Sequence, residues 1–260
     1  MAMRSVWKGT VGFGMVSIPV KLYGAVEEQA VRFNTLHREC GVRIQMPRWC
    51  PSCERRLESA EMVKGYPVSD DKFVILEDQD FQSLPVKSLK NIEVVEFVDA
   101  AGIDVRHYDK PYFVAPDKAG MKAFALLLGG MAKVGKVAVA KLSMREREHL
   151  CAIRPFGDVL LLQTLYRTDE LRDAQAVVEV LPKVTEPELN MAVALIEALE
   201  GNGDLTAYKD EYRDALVRLI EAKLNGEVIA AAPVEEAKPT EDIMAGLMAS
   251  IEAVKAARGR

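Results

Sequence analysis

Trp7-Lys8-Gly9-Thr10-Val11-Gly12-Phe13-Gly14-Met15-Val16-Ser17-Ile18-Pro19-Val20-Lys21-Leu22-Tyr23 is the stretch on which the fold turns. It holds two runs rich in β-branched and aromatic residues, Val6 to Phe13 and Val16 to Tyr23, separated only by Gly14-Met15. That pattern predicts a tight hairpin, with Gly9 and Gly12 marking bends or bulges in its first strand. Gly9-Thr10-Val11-Gly12-Phe13-Gly14 is glycine-rich but lies between strands rather than ahead of a helix, so it is a poor phosphate loop.

Working outward, Val31-Arg32-Phe33-Asn34-Thr35-Leu36 alternates apolar and polar residues as a half-buried strand does. Phe73 to Leu76, Ile92 to Val98, Tyr112 to Ala115, Val137 to Leu142, Leu150 to Pro155 and Val159 to Tyr166 are further predicted strands. A short helix near Asp78 to Leu84 and a longer one, Asp117 to Ala132 with Asp117 as N-cap, interrupt them. Many strands with few helices between them predict an antiparallel sandwich or barrel rather than a βαβ array.

The last third reads as helix, which makes the whole chain α+β. Thr185-Glu186-Pro187-Glu188 is a capping box with proline in the first turn, and Leu189, Val193, Ile196 and Leu199 follow at helical spacing up to Gly201. A second helix is predicted from about Asp204 to Leu224, with Tyr208, Tyr212 and Leu216 on one face. Residues 226–239 read as a flexible linker, and 240–260 as an isolated amphipathic helix capped by Thr240. Such a helix either docks on its own protein or lays its apolar stripe in a partner's groove. No internal repeat is evident.

The chain has 260 residues, 34 Lys+Arg against 39 Asp+Glu, and 49% hydrophobic residues, which excludes a mostly disordered protein. No apolar run approaches the ~20 residues of a membrane span. Arg4 and Lys8 precede no apolar segment of the kind a signal peptide needs, so the expected location is cytoplasmic. Taken alone, the net charge of −5 argues against nucleic acid, but the charge is uneven. Residues 1–65 carry a net +4 and residues 168–260 a net −9. From Lys118 to Phe156 there are eight cations, Lys141, Arg145 and Arg147 among them, against two anions. Charge acts within a Debye length of ~8–10 Å, so a basic face can bind phosphate on an acidic chain.

Four cysteines in a reducing compartment are thiols or metal ligands rather than disulfides. His37-Arg38-Glu39-Cys40 and Cys50-Pro51-Ser52-Cys53 give the spacing H-x2-C-x9-C-x2-C, which suits a closed tetrahedral structural Zn2+ site in a compact ribbon. Cys151 lies in an apolar strand and reads as core filler. Arg38, Arg43, Arg48, Arg55 and Arg56 surround the candidate ligands, with Trp49 among them. A metal-pinned hairpin holds arginines rigidly and so at low entropic cost toward a phosphate backbone. With no recognition helix nearby, contacts without base readout are expected. The only histidines are His37, His107 and His149, and none lies in a nucleophile elbow, an HExxH motif or a Walker loop, so the chain is not expected to be an enzyme.

The sequence also resembles a known family. Trp7-Lys8-Gly9 with Phe13 to Tyr23 is similar to the opening of bacterial Ku proteins. The likeness continues through Leu36 to Cys40, Val63 to Tyr66, Phe73 to Asp78, Ile92 to Val98, Lys110 to Phe113, Val137 to Lys141, Gln163 to Leu165, Asp169 to Arg172 and the Tyr208 to Leu216 helix. The resemblance implies an antiparallel β-barrel core over residues 1–180, with a zinc-ribbon-like bridge inserted at 37–66. It further implies a helical dimer arm at 181–225 and a C-terminal segment, 240–260, that could dock a ligase. His37, Cys40, Cys50 and Cys53 would hold zinc in the bridge. Lys21, Arg32, Arg38, Arg43, Arg48, Arg55, Arg56, Lys141, Arg145 and Arg147 would face DNA. The implied partners are double-stranded DNA ends, a second copy in a homodimer, and an ATP-dependent DNA ligase of non-homologous end joining, in the nucleoid. Relatives often carry a Lys-rich tail that this sequence lacks. The alternative is a zinc-ribbon regulator acting at internal DNA sites.

Overall fold

The computed structural model describes residues 3–70, 72–82, 90–144, 147–178, 181–226 and 243–258, and it divides into two compact units, Met1–Arg172 and Asp173–Arg260. Of the predicted linker only Gly226 is described, and Thr240 lies outside the described residues.

The first unit is built on a closed seven-stranded barrel. Its strands are β1 (Trp7–Phe13), β2 (Val16–Gly24), β7 (Asn91–Val98), β8 (Tyr108–Pro116), β9 (Val137–Met144), β10 (Arg147–Phe156) and β11 (Val159–Leu165), in the order β1-β2-β8-β11-β10-β9-β7. Every pair is antiparallel except the closing one, β1 with β7, which is parallel with Val11 opposite Ile92. The expected all-antiparallel barrel is corrected at that seam. The reason is topological: the chain leaves the barrel after β2 and re-enters at β7 beside β1, running the same way. The seam is tight. The Thr10 amide donates to Lys90 O at 3.1 Å, and a Cβ on Gly9 would overlap the Lys90 carbonyl and the Trp7 ring.

Alternate residues of each strand point inward, so Ile18, Val20 and Leu22 of β2, Ile92 of β7, Leu142 of β9, Ile153 of β10 and Leu160 and Leu162 of β11 form one buried core. α2 (Met121–Val134) packs Phe124, Leu127 and Met131 into it. Asp117 caps the 3-10 turn Lys118–Gly120 ahead of α2 rather than the helix itself, and Gly135 closes the helix in the left-handed region. Cys151 is core filler as expected: it is fully buried, its thiol donates to Ala140 O at 3.3 Å, and burial pushes its pKa up.

Among the described residues, the stretch 25–90 between β2 and β7 holds only short elements: β3 (Trp49–Cys50), β4 (Arg55–Arg56), β5 (Lys64–Ser69), β6 (Lys72–Leu76), α1 (Asp78–Gln82) and a 3-10 turn. The predicted strand at Val31–Leu36 is not formed; of that run only Leu36 pairs, as an isolated bridge to Arg43. The partner strand of β6, Lys64–Ser69, was not expected from the sequence.

In the second unit α3 (Glu186–Ala198) starts at the predicted capping box, with the Thr185 amide donating to Glu188 at 2.7 Å. α4 (Glu211–Leu224) starts later than predicted, after a separate 3-10 turn at Leu205–Ala207. α5 (Ile243–Arg258) packs against α3. Among the described residues no helix is long and apolar enough to cross a membrane.

Candidate nucleic-acid interface

Two hairpins of one construction carry the predicted ligands. In the first, the Ile44 amide donates to Thr35 O (3.0 Å), the His37 amide to Val42 O (2.9 Å) and the Gly41 amide to His37 O (2.8 Å), while Leu36 pairs with Arg43. In the second, the Leu57 amide donates to Arg48 O (2.9 Å), and Trp49 and Cys50 pair with Arg56 and Arg55. Each is a ten-residue loop, and the second repeats the first thirteen positions on. His37 thus corresponds to Cys50, Cys40 to Cys53, and Gly41 to Glu54. The turn demands left-handed backbone just after the second ligand. Gly41 meets it at φ 66°, and Glu54 meets it at φ 50°, a conformation costly for a residue with a Cβ. This repeat was invisible in the sequence because its matching feature is backbone geometry: of the corresponding ligands only Cys40 and Cys53 are the same residue type.

Each hairpin brings its own two candidate ligands together. His37 Nδ1 lies 3.1 Å from Cys40 Sγ. The backbone amides of Cys53 and Ser52 bond the Cys50 sulfur, which with Arg55 draws the Cys50 thiol pKa down, while the hydrogen bond to Cys50 pushes Cys53 up. The donor kinds suit zinc, and so does the local turn. The four side chains do not converge, however: among the described residues no three candidate ligands form a group able to hold one ion. The two pairs are half-sites, and no step below is routed through a metal.

Five of the predicted cations sit on these hairpins. Among the described residues no carboxylate lies within ion-pair distance of exposed Arg38, Arg43, Arg48 or Arg56; Arg48 donates to Ser59 Oγ at 3.1 Å. Arg55 is different. Its guanidinium grips Glu61 through both nitrogens, at 2.6 and 3.1 Å, and Glu61 also accepts the Glu58 amide at 2.9 Å. The Arg55 fork, then the amide, hold the Glu61 carboxyl below the usual carboxylate range, and Glu61 in turn raises Arg55. Arg48 and Arg55 therefore stitch the second hairpin to the 3-10 turn Ser59–Glu61. Glu61 was missed in the sequence because the pair joins a hairpin strand to the 3-10 turn after it, and no single period spans that change of backbone.

The remaining candidates lie elsewhere. Arg32 is 3.6 Å from Glu28 on exposed chain. Lys21, on β2, is held by Asp117 at 3.0 Å, a bond that lowers the Asp117 pKa. Lys141, on β9, is 3.9 Å from Glu148, which Arg167 also contacts at 3.2 Å. Arg147 is exposed at the start of β10, and Arg145 lies outside the described residues.

A family model described as the Ku70/Ku80 beta-barrel domain matches residues 12–191, from the end of β1 into α3. A non-homologous end joining protein Ku from Archaeoglobus fulgidus is 40% identical over 256 residues, covering 97% of this chain and 100% of that protein. Proteins of the same name from Symbiobacterium thermophilum and Desulfitobacterium hafniense are 40% and 37% identical, over 99% and 96% of this chain. The chain spans 65% of the length of the Symbiobacterium protein and 87% of the Desulfitobacterium one. Since the matched stretch takes in nearly the whole barrel with its inserted hairpins, and the likeness to the archaeal protein runs almost end to end, the chain belongs to the Ku family.

Proposed function

We propose that two copies of this chain form a ring that threads onto double-stranded DNA ends without reading their sequence, and that the bound ring recruits an ATP-dependent DNA ligase for non-homologous end joining. The observation that carries this reading is the pair of arginine-bearing hairpins set into the barrel between β2 and β7. Phosphates recur every ~1.7 Å along a duplex, and cations on rigid loops hold them without sequence preference. The relatives' names, which place those proteins in end joining, support the same reading.

A ring needs a second copy, and homo-oligomers close most often about a two-fold. The apolar residues Leu189, Val193 and Ile196 of α3, Tyr208 just ahead of α4 and Tyr212 in its first turn stay exposed within their own unit, which supports their use as a dimer arm. The acidic last third suits ligase contact better than DNA contact, and α5 is the proposed ligase-docking segment. The role is binding rather than catalysis, in the nucleoid. A structural Zn2+ held by His37, Cys40, Cys50 and Cys53 belongs to the proposal on the kind and local placement of its donors; binding it requires the two hairpins to close on one another.

The test compares a linear duplex with the same duplex covalently closed. Stable binding of the linear form alone is expected, weakening steeply as salt rises. Equal retention on closed circles defeats threading and favours a regulator of internal sites.

A further inference from the structure

Of the four cysteines, two share a turn. Cys151 is sealed in the barrel core, and Cys40 lies on the first hairpin, 3.1 Å from His37 Nδ1. Cys50 and Cys53 are together on the second hairpin. Its rungs Trp49–Arg56 and Cys50–Arg55 close residues 51–54 into a tight turn, with Cys50 at its start and Cys53 three residues on. A turn of that kind brings such positions within ~7 Å between Cα atoms, about the reach of a disulfide. The two sulfurs are hydrogen-bonded to one another, and the Cys50 sulfur also accepts the Cys53 and Ser52 amides. Cys53 is exposed and Cys50 half-buried, so a small solute reaches the pair. An accessible sulfur with donors aimed at it, beside a second thiol that can resolve it, is the arrangement of an oxidisable dithiol. The first hairpin has His37 at the position of Cys50 and so has no such pair.

We infer that Cys50 and Cys53 are a redox pair that a hydroperoxide closes to a disulfide, stapling the second hairpin on itself and withdrawing it from the first. The step balances. The Cys50 sulfur attacks a peroxide oxygen: an S–O bond forms, the O–O bond breaks, and water or an alcohol leaves with the Cys50 proton. The Cys53 sulfur then attacks the sulfenic sulfur on Cys50: the S–S bond forms, the S–O bond breaks, and the hydroxyl leaves as water with the Cys53 proton. Two electrons pass from the two sulfurs to the peroxide. The staple suits the hairpin as it stands, because the rungs at Trp49 and Cys50 and the Leu57 amide on Arg48 O already hold the turn closed. A disulfide sulfur offers no thiolate to a metal, so the disulfide and joint zinc ligation exclude each other. The effect on DNA rests on the zinc-closed hairpins proposed above, whereas the disulfide does not. Without the ion, Arg38 and Arg43 are no longer fixed beside Arg48 and Arg56, and the grip on phosphate loosens.

The full chain, stripped of metal by a chelator, is treated with an equimolar amount of hydrogen peroxide, alkylated and mapped by peptide mass spectrometry. A Cys50–Cys53 disulfide is expected, reversed by dithiothreitol, with Cys40 and Cys151 still free to alkylate on unfolding. Cys53→Ser should stop at the sulfenic acid of Cys50, trapped as its dimedone adduct, whereas Cys50→Ser should leave Cys53 unreacted over the same time. In zinc-loaded protein the same treatment should release the ion and lower the salt slope of linear-duplex binding by about 0.9 for each arginine let go. Peroxide that leaves Cys50 and Cys53 unjoined overturns the inference. So does a disulfide formed in zinc-loaded protein with the ion still bound or the slope unmoved. A chain that never takes up zinc yet forms the disulfide upholds the redox pair and refutes the zinc reading alone.

Discussion

Arg55 and Glu61 form a two-pronged ion pair, Nη2 to Oε1 at 2.6 Å and Nη1 to Oε2 at 3.1 Å. One arginine of the proposed DNA surface is thus already neutralised, whereas Arg38, Arg43 and Arg56 have no carboxylate at that range among the described residues. The salt dependence of binding falls by roughly 0.9 log units per log unit of salt for each phosphate that is no longer neutralised. Arg38→Ala, Arg43→Ala and Arg56→Ala are each expected to lower that slope by about this amount, equally for all sequences. Arg55→Ala should lower it less, and Glu61→Gln should raise both slope and affinity by freeing the guanidinium. Fluorescence anisotropy across a salt series on two unrelated duplexes measures this; a change in discrimination between the duplexes contradicts backbone-only contact.

The same pair sets a pH dependence. The folded pKa of Glu61 is depressed by Arg55 and by the Glu58 amide. A depressed carboxylate contributes stability that is present above its unfolded pKa, ~4.3, and is lost as pH falls through the lower folded value. The tie between the second hairpin and the Ser59–Glu61 turn should therefore hold unchanged from pH 7 to pH 5 and open only in stronger acid. Carbon-detected NMR of the Glu61 carboxyl follows it directly, and a midpoint at or above the ordinary value contradicts the pairing.

Much of the barrel was legible in the sequence, because Val16–Tyr23 alternates apolar and polar residues as a half-buried strand does, and Val137–Leu142 is a short apolar run of strand length. Thr185 and Glu188 were legible for a similar reason, since a capping box is local. Val31–Leu36 has the same alternation but no partner strand, and pairing is a property of the fold rather than of six residues. Lys64–Ser69 fails the opposite way: Gly65 and Pro67 disfavour a strand, yet β6 recruits it. The parallel closure of β1 on β7 links residues some eighty positions apart, beyond any local pattern. At the site the arginines and the ligand spacing were readable, but Glu61 and the shared backbone of the two hairpins were not, since they depend on how a turn closes.

Zinc offers a third test. If one ion draws the two hairpins together, elemental analysis of protein purified without chelator should give about one Zn2+ per chain, and Cys40→Ser and Cys53→Ser should each remove it. Because these residues come from different hairpins, loss on both substitutions reports joint ligation. Retention of zinc in either variant assigns the metal to other residues.

The core yields a prediction of stability. Leu160 of β11 is fully buried among strand residues of the closed barrel. Leu160→Ala removes the transfer free energy of the side chain and leaves a cavity in a wall closed all round, which limits relaxation. A loss of about 2–5 kcal/mol is expected from denaturant unfolding. A loss below ~1 kcal/mol means the barrel collapses around the gap.

Gly9 tests the seam at which the barrel closes. A Cβ there would meet the Lys90 carbonyl and the indole of Trp7, while Trp7 Nε1 donates to Ser143 O at 3.1 Å. The indole can yield only by giving up that bond, and the carbonyl only by shifting the backbone that receives the Thr10 amide at 3.1 Å. Neither neighbour is the free end of a flexible chain, so Gly9→Ala should destabilise by about 1–3 kcal/mol despite alanine's smaller loss of backbone entropy on folding. Gly14 is the control within the same hairpin: its φ is 59° and nothing lies within 4 Å of a Cβ there. Gly14→Ala carries backbone strain alone, about 1–2 kcal/mol for left-handed backbone. The two variants separate by amide exchange. Gly9→Ala should speed exchange at Thr10, on the seam with β7, whereas Gly14→Ala should leave Thr10 protected and perturb only the turn. Protection at Thr10 unchanged in Gly9→Ala contradicts the close approach of β1 to Lys90.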